Sequence, residues 1–138
     1  MEPVAHDLDL ASGRVKWHYQ ATSGDAWNVA CTVKSSDSCP DAAAPDFDFG
    51  AGVVLAGGTD GKDYVMAGQK SGWVYALDPA SGRLVWKKRL GHGSASGGVH
   101  FGMAAEGGRL FVPISDRFAM DKDPFPLRPG LPGLYSTP

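Results

Sequence analysis

Residues 73–86 read WVYALDPASGRLVW, and almost the same phrase, HDLDLASGRVKW, already stands at residues 6–17. Leu8-Asp9-Leu10-Ala11-Ser12-Gly13-Arg14-Val15-Lys16-Trp17 and Leu77-Asp78-Pro79-Ala80-Ser81-Gly82-Arg83-Leu84-Val85-Trp86 share Leu, Asp, Ala, Ser, Gly, Arg and Trp at one constant offset. A phrase repeated in a short chain marks a repeated structural unit. Each copy reads strand, turn, strand. The Asp opens the turn because its carboxylate accepts backbone N–H bonds, and the Gly supplies a positive-φ position. The run that follows alternates, with Val15 and Trp17 on one face and Arg14 and Lys16 on the other.

Two more strand-like runs lie between the copies, GVVLAGG at 52–58 and YVMAGQ at 64–69, separated by an Asp-Gly hairpin turn at 58–63. After the second copy, residues 99–105 and 109–114 repeat this arrangement, with EGG as the turn. The unit is therefore four antiparallel strands, with the Asp…Gly…Trp phrase joining the last two. Radially repeated four-stranded sheets describe a β-propeller. The expected fold is all-β: about one full blade, near residues 50–90, plus parts of its two neighbours. Residues 1–116 form this partial propeller, with the repeat phrases at 7–17 and 76–86. Residues 117–138 read as a Pro-rich, truncated loop or tail, in which Gly133-Leu134-Tyr135 begins a third copy of the strand preceding Asp78. Asp116 and Arg117 read as a surface turn. A propeller closes with roughly 4–8 blades, so the chain is expected to be a fragment, or to pair with other chains.

Composition supports many short strands and tight turns: 19 glycines and 10 prolines in 138 residues, with 43% apolar content. Thirteen Lys and Arg against 15 Asp and Glu are nearly balanced, so nothing in the charge advertises a nucleic-acid or anionic-membrane partner. No run approaches the ~18 apolar residues of a membrane span, and MEPVAHDLDL lacks the basic and apolar regions of a signal peptide. Cys31 and Cys39, in CTVKSSDSC, flank a polar loop that a disulfide closes easily, which would imply an oxidising compartment such as a periplasm; two free thiols is the other reading. No second Cys or His pair has zinc-ligand spacing, and CxxCH is absent.

The pattern AxDxxxGxxxW, here ALDPASGRLVW, resembles the tryptophan-docking motif of quinoprotein (PQQ) dehydrogenase propellers. By that resemblance Trp17 and Trp86 are structural residues that dock one blade on the next. The motif also occurs in related propellers that bind no cofactor and serve as scaffolds. Three longer stretches, SGDAWNVAC (23–31), CPDAAAPDFDFGAGVVLA (39–56) and VMAGQKSGWVYALDPASGRLVWKKRLGHGSASGGVHFGMA (65–104), are similar to PQQ-dependent polyvinyl-alcohol dehydrogenases. The resemblance covers residues 7–116 and fades in the tail.

It implies oxidation of an alcohol in the periplasm, with PQQ as cofactor, Ca²⁺ as Lewis acid and a cytochrome c as electron acceptor. Such chemistry needs a carboxylate base and a cation near the quinone oxygens. In Pro45-Asp46-Phe47-Asp48-Phe49-Gly50, counting back from Val53-Val54-Leu55 assigns the base to Asp46, with Asp48 second because D-x-D leaves the register open. The plain alternative is an aspartate pair capping the loop before a strand. A second alignment sets Asn28 of Asp25-Ala26-Trp27-Asn28 at the base position, where an amide cannot take a proton. The first alignment makes the cysteine-containing segment a loop insertion between Trp27 and Asp46, leaving Asp25, Trp27 and Asn28 bordering a cofactor pocket. Lys70, in the turn GQKSG, is the candidate cation on the quinone, against the reading of a solvated turn lysine.

His92 and His100, in GHGSASGGVHFG, lack ligand partners and read as packing or surface residues. The family's metal ligands, a Glu and an Asn from earlier blades, have no counterpart here, and neither does its aromatic floor under PQQ. The chain therefore carries at most part of a site, holds no metal ligand set, and is expected to be inactive alone. Two rival expectations stand beside this one. The first is a PQQ-like scaffold that binds proteins without cofactor or catalysis. The second is a truncated product whose unpaired edges and apolar inter-blade face invite aggregation.

Overall fold

The computed structural model describes residues 4–32, 36–40, 45–115 and the backbone of 133–137. Asp116, Arg117 and the rest of the Pro-rich tail apart from 133–137 lie outside the described residues. The chain is all-β, in three antiparallel sheets. β1 (Val4–Leu8) pairs with β2 (Val15–Gln20). β3 (Val54–Gly57), β4 (Asp63–Gly68), β5 (Trp73–Leu77) and β6 (Leu84–Arg89) follow in that order as one whole blade. β7 (Ala104–Glu106), β8 (Arg109–Ile114) and β9 (Gly133–Thr137) open the next. The third copy of the pre-turn strand extends past Tyr135 to Thr137, paired along β8 with Val112 opposite Tyr135. These three sheets are one blade of a β-propeller between parts of its neighbours.

The two copies of the phrase fold alike, atom for atom. Asp9 Oδ1 accepts from Ser12 N at 2.8 Å and Ser12 Oγ at 2.6 Å, while Asp78 Oδ1 accepts from Ser81 N at 2.8 Å and Ser81 Oγ at 2.7 Å. Gly13 and Gly82 then sit at φ 67° and 68°. These serine bonds hold both Asp carboxyls below the ordinary carboxylate range. A three-residue turn thus closes each outer hairpin by side-chain capping, and a small register shift stands just before each one, at Asp7/Leu8 and at Ala76/Leu77.

Between copies lies the contact that joins the blades. The Trp17 indole N–H donates to the Pro79 carbonyl at 2.9 Å, and its ring lies flat against Gly82, where any Cβ would overlap it. Trp86 holds the same place on β6 and packs against the inter-blade core. That core joins Met66, Val74 and Ala76 of the whole blade to Leu110, Val112 and Ile114 of the next. β5 is buried along nearly its whole length because blades cover both its faces, so WVYAL reads as a continuous apolar run rather than an alternating one.

One expected strand is shorter than its sequence pattern. Of residues 99–105 only Ala104 and Ala105 join β7, which takes in Glu106 from the expected turn. Gly98 pairs with Ser115 in an isolated bridge, Val99 N donates to Gln69 O at 3.1 Å, and Gly102 turns at φ 121°. The apolar residue at 99 serves packing on the β4–β5 turn instead of a ladder. The alternation of strand directions sets the β4–β5 turn and the entries to β3 and β7 at one end of the sheets. The repeated Asp turns lie at the other.

Gly82→Ala is expected to cost about 2–3 kcal/mol in folding stability, from a positive φ plus overlap with Trp17. In a Trp17→Ala background the same change should cost only about 1 kcal/mol. A double-mutant cycle on urea unfolding measures the difference, and equal costs in both backgrounds would exclude the ring–glycine contact as the docking point.

Candidate functional site

The β4–β5 turn, residues 69–72, is held on every side. Lys70 N donates to Asp48 O at 2.9 Å, and Lys70 O accepts from Ser94 N at 3.2 Å. The glycine-rich run GHGSASGG approaches this turn so closely that a Cβ on Gly93 or Gly98 would overlap the Lys70 carbonyl, and one on Gly72 would overlap Gly91. Both runs are glycine-rich because two backbones touch there without side chains between them.

Beside Lys70, Gln69 is fully buried and carries a polar network. Its Oε1 accepts from the Ser71 hydroxyl and from Tyr75 Oη at 2.9 Å, and its Nε2 donates to Thr22 Oγ1 at 3.1 Å. Thr22 follows β2, so this amide ties the turn to the preceding blade. Tyr75 is flanked by Tyr19 and Phe49, each with ring centroids 5.7 Å away. Burial, reinforced by neighbouring Tyr19, pushes its phenol up to about 12, so it stays a neutral donor. Nothing in the sequence pointed to Gln69. A polar residue closing an apolar strand next to Gly68 was the available signal.

The turn aims Lys70 back over the segment entering β3. Its ammonium lies 3.0 Å from Asp46 Oδ2 and 2.8 Å from Asp48 Oδ2, with the lysine side chain 12% exposed and that of Asp46 14%. Three of the sequence candidates therefore converge: Asp46, Asp48 and Lys70. Burial pushes the Asp46 carboxyl up, and Lys70 opposes this without cancelling it, while Asp48 adds to the rise. Burial acts upward on Asp48 too, but there the Lys70 bond and charge, with a hydrogen bond to Asp46, outweigh it and hold the carboxyl low. Burial would lower Lys70, yet its bonds to Asp48 and Asp46 outweigh this and keep it cationic. The pair is thus split into one carboxyl that keeps its proton longer and one that stays ionised.

The other candidates have different partners, and of them Asp25 touches the segment that carries Asp46. Asp25 is buried, and its two oxygens accept from Asp46 N at 3.0 Å and Phe47 N at 2.6 Å. Trp27 is half-buried. Asn28 is exposed; its amide oxygen accepts from Ala30 N at 2.9 Å, opening a short 3-10 turn (Val29–Thr32), and its Nδ2 donates to Ser38 O at 2.9 Å. Cys31 and Cys39 form a disulfide with Cα atoms 4.8 Å apart, stapling this loop. His92 is buried and its carbonyl accepts from Arg89 at 2.8 Å. His100 packs its ring on Phe101, and its backbone lies against Gly50. Ser94 Oγ and His100 Nδ1 are buried with no protein partner among the described residues.

Chemically, a buried ammonium between two acids of different basicity suits binding of an electron-rich carbonyl oxygen next to a proton acceptor. The donor set fits a quinone of the PQQ kind at Lys70. No group of three or more His, Cys, Asp or Glu residues gathers to hold a metal among the described residues.

Comparison with known proteins gives the family of the chain. The family model PQQ_2, described as "Outer membrane protein assembly factor BamB", matches residues 3–121. The polyvinylalcohol dehydrogenase of Sphingopyxis sp. (strain 113P3) is 38% identical over 132 residues, covering 94% of this chain and 19% of that protein. The polyvinylalcohol dehydrogenase of Pseudomonas sp. is 38% identical over 130 residues, with the same coverage of 94% and 19%. The quinohemoprotein alcohol dehydrogenase ADH IIB of Pseudomonas putida is 29% identical over 83 residues, 58% of this chain and 9% of that protein. The chain spans about a fifth of the length of the polyvinylalcohol dehydrogenases it matches.

Asp48 sits below its ordinary value of 3.8 when folded, so its ion pair contributes stability that is present above that pH and lost as pH falls through the folded pKa. Lys70, raised above 10.5, contributes stability that is present below that pH and lost as pH rises through its folded pKa. Asp48→Asn is expected to cost roughly 1 kcal/mol at pH 7, the scale of a partly exposed ion pair. Thermal melts from pH 7 down to about pH 2.5, below the ordinary Asp range, should show this deficit closing. A deficit that persists undiminished at the acid end would mean the Asp48 charge is not what Lys70 reads.

Proposed function

The chain belongs to the PQQ-type β-propeller family, and from that premise we propose that it forms part of a PQQ-dependent alcohol dehydrogenase. The substrate is a primary or secondary alcohol, with polyvinyl alcohol among the candidates, and a cytochrome c takes the electrons. The observation that carries this reading is the buried Lys70 ammonium bonded to Asp46 and Asp48 at the loop-bearing end of the blade.

When bound, PQQ supplies an electrophilic quinone carbonyl that accepts hydride from the alcohol carbon. This chain's residues do the rest that falls to it. Lys70 is the cation for a quinone oxygen, kept charged by its two carboxylates. Asp46, in its ionised form, takes the hydroxyl proton at Oδ2. Its raised basicity makes it the better base of the pair. Asp48 stays ionised and holds Lys70 in place. Asp25, Trp27 and Asn28 border this region, of which Asp25 and Asn28 have their polar atoms turned to the main chain. Ca²⁺ would draw most of its ligands from parts of the whole protein beyond this chain. A periplasmic location is supported by the Cys31–Cys39 disulfide, which persists in oxidising compartments.

A second reading, a propeller that binds proteins without cofactor, is favoured by the assembly-factor description of the family model. The converging acid pair and lysine weigh against it, since a scaffold has no use for a nearly buried lysine held between two carboxyls of split basicity.

The test is PQQ titration of the whole protein with and without Ca²⁺, followed by dye-linked alcohol oxidation. Lys70→Ala is expected to weaken PQQ binding tenfold or more, and Asp46→Asn to lower turnover by about 10²–10⁴-fold with binding retained. A folded protein that binds no PQQ in either condition overturns the dehydrogenase reading in favour of the scaffold.

A further inference from the structure

Asp25 has only 2% of its surface exposed, a costly place for a carboxylate. No lysine or arginine pairs with it in a salt bridge among the described residues. Two consecutive backbone amides satisfy it instead. Oδ1 takes the Asp46 N–H at 3.0 Å and Oδ2 takes the Phe47 N–H at 2.6 Å. Charge-assisted bonds of this kind are shorter and stronger than neutral ones. With each oxygen engaged by a successive amide, the peptide joining residues 46 and 47 has little freedom to rotate.

That peptide belongs to an unusual residue. Among the described residues Asp46 is the non-glycine with a positive φ, at 66°. A side chain with a Cβ resists this conformation, which persists only where surrounding contacts over-determine it. From this backbone the Asp46 carboxylate reaches Lys70 at 3.0 Å. Relaxation to negative φ would swing the Cα–Cβ bond and carry the carboxylate away from the ammonium. The segment between residues 25 and 46 is a long excursion stapled farther out by Cys31–Cys39, and Asp25 closes its base.

We infer that Asp25 is a positioning residue, whose buried carboxylate clamps the Asp46 main chain in its left-handed conformation and so aims the Asp46 carboxylate at Lys70. Its consequence for turnover rests on the reading of Asp46 as the base; the clamp itself does not. Asp25 acts through backbone amides rather than by touching cofactor or substrate.

The experiment uses the whole protein as wild type, Asp25→Asn, Asp25→Ala and Asp46→Asn. Asp25→Asn is isosteric and keeps one acceptor oxygen, so it serves where Asp25→Ala does not fold. Hydrogen exchange of the peptide spanning residues 45–49 reads the clamp directly. Exchange is expected to quicken tenfold or more in the Asp25 variants, with residues 73–77 of β5 unchanged. In the same variants PQQ affinity and KM should stay within about threefold and kcat should fall ten- to a hundredfold, the scale of a misplaced reacting group. The acid limb of the kcat profile should also move to lower pH, because a released Asp46 returns toward the ordinary carboxylate range.

Unchanged exchange over 45–49 in a folded Asp25 variant overturns the inference. A loss of PQQ affinity as large as that of Lys70→Ala also overturns it, making Asp25 a cofactor contact. Quickened exchange with kcat intact, where Asp46→Asn is inactive, overturns the link from clamp to aim. Full activity in Asp46→Asn sinks the base reading separately, and the exchange result then decides the clamp alone.

Discussion

A four-stranded sheet cannot bury both of its faces by itself, and the packing of Trp17 on Gly82 is where this chain meets that constraint. The indole spans from the outermost strand of one blade to the outer turn of the next. A large flat ring needs a surface without a Cβ, and the turn needs a positive φ. Glycine answers both demands at once. At the next interface, where Trp86 packs, Val74 and Ala76 meet Val112 and Ile114 in a common core, and the loop-bearing ends of the sheets are brought side by side.

What happens at those ends follows from close backbone approach. The β4–β5 turn and the run 91–98 touch main chain to main chain, so the position of Lys70 is set by peptide groups rather than by mobile side chains. Gln69 extends the same fixation to the preceding blade through Thr22. On that rigid seat the ammonium faces two carboxylates in unequal surroundings. Asp46 is the more enclosed, at 14% side-chain exposure against 47% for Asp48. Burial acts upward on both carboxyls; the bond between them, which raises Asp46 and lowers Asp48, and Lys70, which prevails only at Asp48, split their basicity in opposite directions. A symmetric pair would share its proton and offer neither a dependable base nor a dependable anchor.

The candidate site was legible through the family resemblance. It singled out the two aspartates two apart before a strand and the lysine in the turn after one; residue type alone left them as loop-capping and solvated-turn residues. Asp25 stood out too, but only as a residue near the pocket. Its bonds to the amides of Asp46 and Phe47 depend on a chain reversal across more than a dozen intervening residues, which no local pattern encodes. Gln69 was silent because a glutamine at a strand end is unremarkable until three partners from distant segments surround it. The run 99–105 alternated like a strand, yet its first half was taken by packing against the β4–β5 turn.

By itself the sequence determined the repeat, and with it the four-stranded unit and the Asp-capped turns. These are local consequences of hydrogen-bonding reach, φ preference and strand alternation, and they recur because the same short phrase recurs. Only the tertiary structure decided that Lys70 sits between Asp46 and Asp48, that Asp46 is the enclosed member, and that Asp25 holds its backbone. Burial and convergence belong to segments far apart in the chain, and basicity follows from both.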